Sequence, residues 1–105
     1  MKEVSVDELK ELIDSSADIQ IVDVREPFEY EMGNIGVEHI PLQTVPDNVD
    51  KFSKDKPLYI ICRSGRRSAN AAMFLEQNHG YDKVYNVEGG MLAWKEEIDS
   101  TIDVE

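Results

Sequence analysis

The chain has 105 residues, 41% of them hydrophobic, and its 22 acidic against 11 basic side chains give a formal charge of −11. That length suits one domain over residues 1–105 and is too short for two. The acidity argues against a nucleic-acid-binding face, and no apolar run approaches the ~18 residues of a membrane span.

In chain order, Ser5 and Glu8 have the spacing of a capping box, with Ser5 as N-cap. Val6, Leu9, Leu12 and Ile13 then share one helical face and read as core. Ile19 to Val24 is a β-branched run typical of a buried strand, ending at Arg25-Glu26-Pro27, where Pro27 suits the first position of a short helix through Met32. Val37 to Pro41 reads as a short strand, Pro41 to Pro46 as a turn or loop, and Val49 to Phe52 as a short helical turn. Leu58 to Cys62 is the next strand. Ser68 to about Asn78 is the next helix, with Gly80 as its stop. Lys83 to Val87 is a further strand, and Gly89-Gly90 precede a last helix from about Met91 to Glu97, whose Met91, Leu92 and Trp94 read as core. The acidic tail 99–105 is expected to fray, leaving a core of about 4–98. Strands alternating with helices predict an α/β domain with a mainly parallel central sheet.

Cys62-Arg63-Ser64-Gly65-Arg66-Arg67-Ser68 holds the only cysteine and three of the four arginines. Ligands in such sheets sit beyond the carboxyl ends of strands, where Cys62 falls. A thiol leading into a helix N-terminus meets amide donors and a positive dipole end, a setting that favours thiolate. Buried lone cysteines are usually inert, but clustered arginines are costly unless an anion relieves them. The pattern therefore points to Cys62 as nucleophile and to residues 63–68 as an oxyanion-binding loop. The general acidity leaves that loop to capture a small anion by local donors, without long-range steering. One cysteine excludes an internal disulfide, and with two separated histidines it excludes a cysteine–histidine zinc cluster, so no metal or cofactor is expected. The lone thiol and an N-terminus without an apolar signal core fit a cytoplasmic protein.

Tyrosine-phosphatase loops place arginine after cysteine and five intervening residues. Here that count lands on Ser68, whereas Arg66 and Arg67 follow after three and four residues. The shorter cradle disfavours phosphate and suits a persulfide, one extra sulfur on the thiol. Residues 62–68 resemble the C-R-S-G-x-R-S loop of single-domain rhodanese-type sulfurtransferases. Asp23-Val24-Arg25-Glu26 is similar to the family's D-V-R-E segment, and Glu88-Gly89-Gly90-Met91-Leu92-Ala93-Trp94 to its E-G-G-x-x-A-W ending. The resemblance runs from about Val4 to Ile98. It departs at Gly33 to Pro41, which is one residue shorter than the family's pattern, with Asn34 at the usual histidine place.

The resemblance implies a rhodanese-like fold with helices on both sheet faces. It also implies a ping-pong reaction: Cys62 takes the outer sulfur of a donor such as thiosulfate, and a thiophile (cyanide, a thiol or a protein cysteine) removes it from the persulfide. Arg63 and Arg66 are the arginines expected to face the anion, while Arg67 either joins them or turns inward to brace the loop. Asp23 and Arg25 read as a strand-end pair supporting the loop. Ser64 and Ser68 offer hydroxyls, Ser68 serving equally as a helix N-cap, and Gly65 permits a turned amide. His39 and His79 read as structural. The competing functions are a persulfide carrier fed by a partner protein, a small cysteine phosphatase or arsenate reductase, and a redox-sensing thiol. The last is weakened by the lack of a resolving cysteine.

Overall fold

The computed structural model describes residues 1–105, and its centre is a five-stranded, all-parallel sheet. The strands are β1 (Lys2–Val4), β2 (Gln20–Asp23), β3 (Glu38–His39), β4 (Leu58–Ile61) and β5 (Val84–Val87), in the spatial order β1-β5-β4-β2-β3. Register aligns Val22 with Ile60 and Ile60 with Asn86, so the ends of β2, β4 and β5 lie side by side. Three helices connect strands, α1 (Val6–Asp14), α2 (Pro27–Met32) and α3 (Arg66–His79), and a fourth, α4 (Gly90–Glu97), follows β5.

Alternation along β4 divides the core between the two faces. Leu58, Ile60 and Cys62 join Val22, Val24, Ala71, Ala72, Leu75 and Val84 beneath α3. Tyr59 and Ile61 join Val6, Leu9, Val87, Met91 and Trp94 beneath α1 and α4. Helices therefore cover both faces, as the resemblance implies. The capping box forms: Glu8 N–H donates to Ser5 Oγ at 3.1 Å, and Ser5 N–H donates to Glu8 Oε1 at 2.9 Å.

Several expectations need correction. β1 was not foreseen, because three residues at a chain start carry no period; it is nevertheless held as an edge strand, with Lys2 aligned to Tyr85 and Val4 to Val87. The segment after Pro41 is a 3₁₀ helix over Leu42–Asp47, where a turn or loop was expected. Ile13 and Leu92 are 38% and 37% exposed, at the margins of the helical faces assigned to the core. The tail is not frayed. Ile102 and Val104 pack against the α1/α4 core, Lys95 Nζ donates to the Ile102 carbonyl at 2.6 Å, and Asp103 backbone lies against Gly33, where an added Cβ would stand 3.0 Å from Asp103 N. Gly33 has extended backbone (φ −177°) that any residue adopts, so space is what demands glycine there.

Candidate active site

β4 ends at Ile61, which leaves Cys62 just beyond its carboxyl end, and α3 already begins at Arg66. The connection is only Cys62 to Gly65. Gly65 is the N-cap, with φ +98°, a left-handed conformation that L side chains rarely adopt. Ser68 is therefore the third helical residue, not the N-cap. Cys62 is fully buried, its Sγ at the base of this turn. Three donors converge on the sulfur: Gly65 N–H at 3.1 Å, Ser68 N–H at 3.3 Å and Ser68 Oγ at 3.2 Å. The N–H groups of Arg63, Ser64, Arg66 and Arg67 have no acceptor within the protein.

The arginines separate by role. Arg67 turns inward, its guanidinium forming a two-pronged pair with Glu29 at 2.7 and 2.9 Å. That hydrogen bond is the largest cause holding the Glu29 carboxyl down at about 2 and the Arg67 guanidinium above its ordinary value. Burial opposes both shifts, and the nearby Cys62 charge adds to the rise at Arg67. Arg63 donates through Nε to the Glu105 carbonyl. Arg66 is exposed and has neither hydrogen bond nor ion pair.

Asp23 and Arg25 form a fully buried pair, Arg25 Nη2 lying 2.8 Å from Asp23 Oδ2. Arg25 makes no hydrogen bond to residues 62–68. It donates to the carbonyls of Glu29 (3.2 Å) and Gly33 (2.8 Å), tying down the C-terminal turn of α2. The loop is reached through α2, by Glu29 and Arg67. His39 stacks on Tyr30 and its Nε2 is 2.7 Å from the Arg25 carbonyl, a structural arrangement.

The Gly89-Gly90 pair has a direct explanation. The α4 N-terminus docks on the loop backbone: Met91 N–H donates to the Cys62 carbonyl at 2.8 Å and Leu92 N–H to that of Arg63 at 3.0 Å. Gly90 has φ +55°, and a Cβ there would lie 2.6 Å from the Arg63 carbonyl oxygen. Sequence reasoning missed two residues of the site. Glu29 faces Arg67 from 38 residues away. Asn86, on β5 and 2% exposed, meets Ser68 Oγ at 2.5 Å through its Oδ1 and Gly65 O at 3.1 Å through its Nδ2. A buried asparagine in an otherwise apolar strand was the available signal, since burial of a polar group requires partners.

A buried thiol ringed by donors, after a parallel strand and before a helix N-terminus, defines a class: α/β proteins with a cysteine in the loop beyond a central strand. The family model for the rhodanese-like domain matches residues 5–97, and the chain belongs to that family. It is 41% identical over 98 residues to a Bacillus subtilis protein provisionally named sulfurtransferase YtwF, covering 92% of this chain and 93% of that one. It is 43% identical over 93 residues to a B. subtilis protein provisionally named sulfur carrier YrkF, covering 88% of this chain and 50% of that one. The chain thus spans only half the length of YrkF. A crystal structure of a rhodanese-like domain protein from Staphylococcus aureus superimposes with a TM-score of 0.84 at 43% identity, covering 100% of this chain and 99% of that one.

Proposed function

We propose that the protein is a sulfurtransferase that carries sulfane sulfur as a persulfide on Cys62, loaded from a donor such as thiosulfate and discharged to a thiophile, cyanide or a thiol. The observation that carries this reading is the ring of donors around a buried sulfur, with four further loop amides unoccupied. In loading, a lone pair of the Cys62 thiolate forms a bond to the outer sulfur of thiosulfate, whose S–S bond breaks as sulfite departs with the electron pair. The negative charge then rests on the added sulfur, within reach of the free amides and the α3 dipole. In discharge, the acceptor bonds to that sulfur, the new S–S bond breaks, and the pair returns to Cys62.

Arg66, exposed and unpaired, is the arginine proposed to meet the incoming anion, with Arg63 beside it. Arg67 serves as a brace. Asp23 and Arg25 support the site through α2. The likeness to YrkF favours a second reading, a carrier loaded by a partner protein.

The test is the intact mass of the reduced protein after incubation with thiosulfate, beside Cys62→Ser. A gain of one sulfur atom, reversed by cyanide and absent from the variant, is expected. No gain despite an alkylatable thiol would rule out thiosulfate as donor and leave the carrier reading, to be tested with a persulfide-bearing protein.

A further inference from the structure

Ser68 Oγ lies between two acceptors, Cys62 Sγ at 3.2 Å and Asn86 Oδ1 at 2.5 Å. A serine hydroxyl has one hydrogen and can donate to only one of them at a time. Asn86 cannot turn away. Its Nδ2 is held by Gly65 O at 3.1 Å and by Glu3 Oε2 at 3.0 Å, both acceptors, which aims Oδ1 at Ser68. Ser68 is fully buried and Asn86 nearly so, leaving no bulk water to substitute for either partner.

We propose that Asn86 is a positioning residue that gives the Ser68 hydroxyl hydrogen a second resting place, so that the hydrogen follows the charge on Cys62 through the cycle. The mechanistic part rests on the sulfurtransferase reading above. With sulfur as thiol, its S–H points to Ser68 Oγ and the hydroxyl donates to Asn86. With sulfur as thiolate, the hydroxyl turns to Sγ, because a hydrogen bond to an ionised acceptor is roughly twice as strong as a neutral one. Once the persulfide forms, Sγ is neutral and the hydrogen returns to Asn86. Ser68 thus stabilises the thiolate that leaves on discharge. Asn86 lowers the cost of withdrawing that same hydrogen bond when the thiolate attacks. The two side chains are therefore assigned to opposite half-reactions.

The experiment compares the wild type with Ser68→Ala, Asn86→Ala and the double variant in single-turnover loading by thiosulfate and discharge by cyanide, both at a pH on the alkaline plateau, where every variant is fully thiolate. Alkylation of Cys62 by iodoacetamide is measured alongside, on its alkaline plateau. Ser68→Ala is expected to slow discharge and not loading, and Asn86→Ala to slow loading and not discharge, each by about fivefold. On the plateau, where rate reads sulfur nucleophilicity alone, Ser68→Ala alkylates faster and Asn86→Ala slower. In the Ser68→Ala background the Asn86 change has no further effect on any of the three rates.

Equal slowing of both half-reactions by Asn86→Ala, or an effect that persists without the serine hydroxyl, would overturn the proposal and leave Asn86 only a support for Gly65. Should Asn86→Ala fail to fold, Glu3→Ala removes just the outer anchor of the amide. It is expected to slow loading and plateau alkylation in the same direction but less, and an unchanged rate overturns the proposal. Because alkylation needs no sulfur donor, the two readings fail separately. The plateau pattern without sulfur uptake sinks thiosulfate transfer alone, and sulfur uptake without the pattern sinks the Ser68–Asn86 switch alone.

Discussion

Gly90 and Glu29 show how single residues hold the site from outside the loop. A methyl group at Gly90 would crowd the carbonyls of Cys62 and Arg63, in a backbone region that disfavours side chains. Gly90→Ala is therefore expected to cost about 2–4 kcal/mol in chemical denaturation and to slow persulfide formation. Glu29 is a carboxylate whose value is about 2 when folded against 4.5 ordinarily. A group depressed on folding stabilises most above its unfolded value, so this contribution is full above about pH 5 and fades as the pH falls toward 2. Glu29→Gln should lower Tm at neutral pH, consistent with a loss of about 1–3 kcal/mol, and the gap from wild type should close on acidification. A gap constant from pH 7 to 2.5 would show that the pair contributes no net charge stabilisation. At Arg66, with no partner to lose, Arg66→Ala should raise the half-saturating thiosulfate concentration about tenfold with little change in Tm.

At the scale of elements, α3 opens against its own dipole. Its first turn contains no acidic residue and starts with Arg66 and Arg67, so positive side chains meet the positive end of the helix. Glu29 neutralises one of them; an anion at Arg66 would neutralise the other. Thiosulfate or sulfate should accordingly raise Tm more than chloride at matched ionic strength, and Arg66→Glu should remove that difference. The tail is the second element whose role depends on packing. Since Ile102 and Val104 lie on the α1/α4 core, Ile102→Asp should lower stability by about 1–3 kcal/mol. A frayed tail would show no change, and limited proteolysis would remove it from the wild type at once.

Across the whole molecule, charge and site oppose each other. The chain carries −11, yet three of its four arginines lie in the loop whose Gly65 and Ser68 donors surround one sulfur. Net repulsion slows the approach of an anionic donor and is screened over roughly 10 Å at 0.1 M salt, whereas buried donors around Sγ are screened much less. Loading by thiosulfate should therefore speed up as ionic strength rises from about 0.01 to 0.1 M, while discharge by a neutral thiol should not. A loading rate that falls with salt would mean that the loop arginines dominate even the long-range field.

The strand and helix alternation, the capping box at Ser5 and the position of Cys62 at a strand end were all legible from residue order. Each depends on local period or on punctuation by proline and glycine. The three motifs around Asp23, Cys62 and Gly89 were also visible, and the resemblance they carry holds over residues 5–97. What each motif does was decided only by the fold. Gly90 is glycine because α4 docks on the carbonyl of Arg63, and Gly33 because Asp103 passes against it. Arg67 is a brace because Glu29 faces it from α2, and Asn86 reaches Ser68 because β5 lies beside β4. These are contacts between residues far apart in the chain, set by sheet order and helix docking. Local propensity specifies where the elements form; which side chains then share the space around one sulfur depends on how the elements pack.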